Sequence, residues 1–290
     1  MIVTQREVKS HEYKIILKAD KFKNVDQRVL HKPANRFWKK LDRELAAGGV
    51  AATNKGFKKP KGRKGRKVRF YDTTDRLFDA NDYVFRVRGK GEEWQKTLKF
   101  RQRRSLEVAQ KTDMDPGGAP CNDDPKCKLE VDVKLEKVGD LGWAEAPKCR
   151  VSLYSSSTTK NIGSDNGIKT MAEPGEFVPG LQAALGNSYD AEARITKVGG
   201  FTARERVIEG GELVMDADPD VEIECAIVVW YDDSNDQRKP EVAEFSFKYD
   251  EEDSYSELDQ DCEKVLRVVA DMGWVDPNQV TKTRFVYNKD

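Results

Sequence analysis

Residues 83–101 read YVFRVRGKGEEWQKTLKFR. Successive side chains of a β-strand point to opposite faces. Tyr83, Phe85 and Val87 therefore share one face, and Arg86 and Arg88 the other. In the next strand Leu98 and Phe100 oppose Thr97, Lys99 and Arg101. Four more segments divide the same way. Lys128 to Glu136 (KLEVDVKLE) sets Leu129, Val131, Val133 and Leu135 against Lys128, Glu130, Asp132, Lys134 and Glu136. Ser10, Glu12 and Lys14 oppose Tyr13, Ile15 and Leu17. Glu244, Ser246 and Lys248 oppose Ala243, Phe245 and Phe247, while Glu222 and Glu224 oppose Val221, Ile223 and Cys225.

An antiparallel sheet with one buried and one solvated face gives the same alternation. The residue types favour a different arrangement: the polar faces hold Arg-x-Arg, Thr-x-Lys and Glu-x-Asp and little else. If the sheet closes into an antiparallel β-barrel, that face lines a lumen. Helices and loops would then cover the apolar outside. Charges taken out of water are costly, so such a lumen calls for a ligand. Carboxylates suit Mg²⁺ or Mn²⁺, which prefer oxygen donors. Arg and Lys hold phosphate oxygens, Arg by paired hydrogen bonds. A triphosphate ligand meets both charge sets.

The 290 residues allow one large β-rich domain or two ordinary ones, and strands of one character at both ends favour a single domain over 1–290. Lys+Arg and Asp+Glu both total 51, without the basic excess of a nucleic-acid binder, so a nucleic-acid partner is not expected. The start, MIVTQREVKSHEYK, has no secretory pattern, and no apolar run reaches the roughly 20 residues needed to span a bilayer. A cytoplasmic, soluble protein is expected, with its five cysteines reduced. Monomer and homodimer both stay open.

Helices are expected from about Pro33 to Ala47, near Val178 to Leu185, and from about Tyr255 to Met272. Strands are expected at Val68 to Thr73, Arg150 to Tyr154, Ala203 to Ile208, Val221 to Tyr231 and Val280 to Tyr287. The stretch from 54 to 67 is a basic loop, Asp113 to Lys126 a turn-rich one, and 137–200 the least legible segment. His11 falls on the apolar side of its strand, as a structural residue.

On these residues the chain resembles the CYTH superfamily, the triphosphate tunnel metalloenzymes. Phe70-Tyr71-Asp72-Thr73, Phe85-Arg86-Val87-Arg88, Thr97-Leu98-Lys99, Lys128-x-Glu130-x-Asp132, Arg204-Glu205-Arg206 and Glu241 to Lys248 follow the family's order. The resemblance implies an α+β fold, a closed eight-stranded antiparallel barrel flanked by a few helices. It implies Mg²⁺ or Mn²⁺ held by Glu12, Glu130, Asp132 and Glu244. Lys14, Arg86, Arg88, Lys99, Arg204, Arg206 and Lys248 would hold the phosphates, with Glu12, Glu130 and Lys14 as the catalytic group. The implied reaction is hydrolysis of the terminal phosphate of inorganic triphosphate or a triphosphorylated small molecule. Adenylate cyclase and a non-catalytic polyphosphate-binding module are the alternatives. Ser10 and Ser246 depart from the family, which places carboxylates there, and thin the metal wall.

Overall fold

The charged-and-apolar segments pair edge to edge in the computed structural model, which describes residues 6–23, 25–60, 65–117, 127–135, 149–164, 168–216, 221–234, 239–251 and 256–289. Its strands are β1 (Val8–Leu17), β2 (Ala51–Thr53), β3 (Arg66–Asp72), β4 (Tyr83–Lys90), β5 (Glu93–Gln102), β6 (Cys127–Leu135), β7 (Cys149–Ile162), β8 (Thr196–Lys197), β9 (Ala203–Met215), β10 (Glu222–Asp232) and β11 (Pro240–Asp250). The α-helices are α1 (His31–Gly48), α2 (Leu77–Ala80), α3 (Leu106–Lys111), α4 (Ala172–Phe177), α5 (Gly180–Leu185), α6 (Ser256–Asp271) and α7 (Lys282–Tyr287). Residue 136, parts of the loops at 54–67 and 113–126, and 137–148 of the least legible segment lie outside the described residues.

One sheet of 11 strands, rather than eight, runs β2-β9-β10-β11-β1-β6-β7-β5-β4-β3-β8. β3 also pairs with β9, so all but the short β2 and β8 join in a closed ring. The ring is not wholly antiparallel, because β1 runs parallel to β6 while pairing antiparallel with β11.

Three expectations for individual elements also need correction. β7 was expected to stop at Tyr154, with a Ser/Thr-rich loop after it, but it continues to Ile162. Ser and Thr favour turns by bonding local backbone, yet here both edges of the strand are taken up by β5 and β6. β9 likewise runs on to Met215 through a register shift opposite Cys225/Ala226. The segment expected as a last strand is the helix α7, whose start is capped by Thr281 Oγ1 accepting from the Arg284 N–H at 3.3 Å. The helix expected near Val178 to Leu185 is α5, with α4 just before it.

The apolar faces point outward, as the alternation implies. Tyr13, Ile15, Phe245, Ile227 and Val131 pack against Phe37, Trp38, Leu41 and Leu45 of α1 and Leu258, Val265 and Leu266 of α6. Tyr83, Phe85, Val87 and Leu98 pack against Phe78 of α2, Phe177 of α4 and Leu181 of α5. A third cluster joins inward-facing Phe70, Val84, Val228, Trp230 and Val242 to Val286 of α7, and so fills one end of the ring. His11 lies on the outer face, stacked on Tyr249 and 2.6 Å from Glu251. Cys225 and Cys262 are free and buried, but Cys127 is in a disulfide, against the reduced-thiol expectation. Among the described residues no helix is long and apolar enough to cross a membrane.

Candidate functional site: a charged cavity inside the strand ring

The inward faces enclose a cavity of about 990 Å³. Glu12, Lys14, Arg86, Arg88, Lys99, Glu130, Asp132, Glu244 and Lys248 all line it. Strand register explains the gathering. Glu12 is opposite Asp132 on one side and Lys248 on the other, and Lys248 is opposite Glu224 in turn. On the far wall Arg86 lies opposite Thr97, and Val84 opposite Lys99.

The acidic wall is threaded with lysines. Lys14 Nζ is 2.7 Å from Glu12 Oε2 and 2.7 Å from Asp132 Oδ1. Ser155 Oγ donates to Asp132 Oδ2 at 3.0 Å. Lys99 is 3.7 Å from Glu130 and 3.9 Å from Asp132. Burial works against the Lys14 ammonium, but Asp132, Glu12, Glu244 and Glu130 outweigh it and hold its pKa well above the ordinary lysine value. Burial would raise the Asp132 carboxyl, yet Lys14 and Lys99 bring it below the usual carboxylate range.

The basic wall is different. Among the described residues Arg86 and Arg88 make no side-chain hydrogen bond or ion pair, and the Nε of each is buried without a partner. Arg86 beside it, then burial, pull the Arg88 pKa down to about 9. Burial comes first for Arg86, whose pKa is also lowered. Buried polar groups are normally satisfied, and these two Nε atoms are exceptions that face the cavity.

Arg204 and Arg206 do not join the cavity. Arg204 pairs with Asp233 and donates to the Gly65 carbonyl at 3.2 Å, while Arg206 is buried beside Tyr231 of the outer core. The residue between them, Glu205, faces inward instead. It pairs with Arg66 and accepts the Trp230 indole N–H at 2.9 Å. Lys282 is a second cavity residue outside the expected set; it extends from the start of α7 to within 2.6 Å of Glu244 Oε1. Glu224 also lines the cavity, whereas the Glu222 side chain lies outside the described residues.

Oxygen donors of this kind suit Mg²⁺ or Mn²⁺ chemically. Their arrangement does not: among the described residues no three acidic, His or Cys side chains gather as a metal-holding group. The lysines stand between the carboxylates.

No family model matches the chain, and no curated protein matches it. Solved structures do. One is a candidate adenylyl cyclase from Hippeastrum described as having a dominant triphosphatase activity, at 10% identity, TM-score 0.36, over 83% of this chain and 80% of that one. A candidate adenylate cyclase from Bacillus halodurans matches at 13% identity and TM-score 0.37 over 93% of both chains. A third, from Vibrio parahaemolyticus and described in the same terms, matches at 12% identity and TM-score 0.30, over 93% and 91%. The ring encloses a cavity lined by both cations and carboxylates. By its ordered motifs the chain resembles the CYTH superfamily.

Proposed function

We propose that the cavity binds a triphosphate and that the chain hydrolyses its terminal phosphate, the substrate being inorganic triphosphate or a triphosphorylated small molecule. One observation carries the reading: Arg86 and Arg88, two neighbouring guanidiniums whose Nε atoms are buried and which make no hydrogen bond or ion pair among the described residues, face a cavity of about 990 Å³. Two like charges side by side and partly withdrawn from water raise the free energy of the empty protein. A polyanion that accepts paired hydrogen bonds from both relieves it.

The residues divide by chemistry. Arg86 and Arg88 grip phosphate oxygens, and Lys99, Lys14 and Lys248 neutralise those that remain. Phosphoryl transfer depends chiefly on such placement and charge stabilisation. Glu130, whose one ion pair is at 3.7 Å, is less committed to a lysine than Glu12, Asp132 and Glu244 and is suited to orient the attacking water. Mg²⁺ or Mn²⁺ would supply further neutralisation. Because no three carboxylates gather as a metal-holding group among the described residues, the metal would arrive with the substrate, as a metal–triphosphate complex.

A non-catalytic binding module is the second reading, favoured by Ser10, Ser246 and the engagement of Glu12 and Asp132 by Lys14. Phosphate release from tripolyphosphate, ATP and thiamine triphosphate, each with Mg²⁺, Mn²⁺ or EDTA, separates the two. Metal-dependent release is expected. Arg86→Gln and Arg88→Gln should each weaken tripolyphosphate binding roughly 10- to 100-fold by calorimetry, the range for hydrogen bonds to charged groups. Binding without release selects the module, cyclic AMP formed from ATP selects a cyclase, and no binding at all sinks the proposal.

A further inference from the structure

Glu12 and Asp132 are direct neighbours across the parallel β1–β6 pair, both facing the cavity. Like charges placed so closely across two strands repel. The Lys14 ammonium lies between them, at 2.7 Å from one oxygen of each. The second Asp132 oxygen is held by Ser155 at 3.0 Å. Of the other carboxylates of the wall, Glu244 has Lys282 at 2.6 Å and Glu130 has Lys99 at 3.7 Å. Between Glu244 and Lys248 on the inward face of β11, Ser246 offers a hydroxyl and no carboxylate. Cation positions in this wall are thus filled by the chain's own ammonium groups, Lys14 at the centre.

We propose that Lys14 is the resident cation of the acidic wall, so that the chain alone holds no divalent ion there, and that a polyanion must draw Lys14 away before Glu12 and Asp132 can face a metal. Two features of the molecule support this order. Arg86 and Arg88, which make no hydrogen bond or ion pair among the described residues, let an anion enter with no metal already in place. Lys14 Nζ is at 2.7 Å from both Glu12 and Asp132, so it leaves their oxygens only for another anion. Thermodynamic linkage makes the effect reciprocal: an anion that frees the carboxylates strengthens metal binding by the factor that the metal strengthens anion binding, typically 5- to 150-fold. The identity of the anion rests on the triphosphate reading above; the occupancy of the wall by Lys14 does not.

Manganese titration of the full chain followed by electron paramagnetic resonance, with no anion present, tests the inference. Wild type should show no saturable site. Lys14→Met should bind Mn²⁺ at least about tenfold more tightly, and Lys14→Arg should behave as wild type. Tripolyphosphate should raise the Mn²⁺ retained on wild type by at least about tenfold beyond that carried by the anion alone, and Lys14→Met should lose most of this gain. Tight Mn²⁺ binding by wild type without anion, unchanged by Lys14→Met, overturns the proposal. If Lys14→Met does not fold, the wild-type titrations decide: tight binding without anion overturns it, and binding only with anion upholds it. Calorimetry of tripolyphosphate in EDTA separates the two inferences, since failure there removes the triphosphate reading and leaves the Lys14 result standing.

Discussion

Glu205 shows how much a single buried charge depends on its neighbours. Burial alone would push its carboxyl upward, but Arg66, Lys282 and the Trp230 N–H bring the pKa from an ordinary 4.5 to about 2. As pH falls, the unfolded chain takes up this proton first. The stabilisation is therefore complete above pH 4.5 and is lost as pH falls toward about 2. A shift of this size corresponds to on the order of 3 kcal/mol. Urea denaturation at pH 5 and pH 3 should show wild type losing part of that amount, and Glu205→Gln should have a flatter pH dependence. The same residue was hidden in the sequence. Arg204, Glu205 and Arg206 put charge on both faces of β9, so alternation supplies no phase. The phase becomes visible only where Glu205 meets Arg66 and Trp230 across the neighbouring strands.

At the scale of elements, α7 matters more than its six residues suggest. It puts Val286 into the apolar end of the ring and Lys282 against Glu244, a carboxylate only 3% exposed. Removing one partner of a buried pair leaves an uncompensated charge and costs about 3–5 kcal/mol. Lys282→Met should lose about that much in denaturant unfolding, and Lys282→Met combined with Glu244→Gln should recover most of it. Strands with one charged and one apolar face, such as β4 and β6, could be read directly, and with them most of the cavity wall. What could not be read was set by tertiary context. β7 has small hydroxyl residues that gain their ladder partners only between β5 and β6. The α7 segment, Val280 to Tyr287, is rich in β-branched and aromatic residues that favour strands, but a Thr281 cap starts a helix.

For the whole molecule the decisive contact is the seam where β3 meets β9, because without it the sheet would be open along both strands. Gly65 marks this seam: a Cβ there would lie 2.1 Å from the Glu205 carbonyl oxygen and 2.8 Å from Arg206 Cδ. Gly65→Ala must therefore push β3 and β9 apart, at about 1–3 kcal/mol, the usual cost of overpacking. Hydrogen exchange should show the loss of protection first along Arg66–Val68 and Ala203–Glu205, with β1–β11 least affected.

The parallel β1–β6 pair also constrains how the chain can be made. Ser10 is paired with Glu130 on one side and Asp250 on the other, so the first strand has no neighbour until half the chain has emerged and lacks its second until almost all has. At about 5–20 residues per second of synthesis, that second partner follows β1 by roughly 10 to 45 s. Through this interval β1 is a bare edge, the kind that recruits other chains. Glu12 and Lys14, alternating with Tyr13 and Ile15, keep charge on one face of it. The residues that later line the cavity thus also protect a waiting strand from the wrong neighbour.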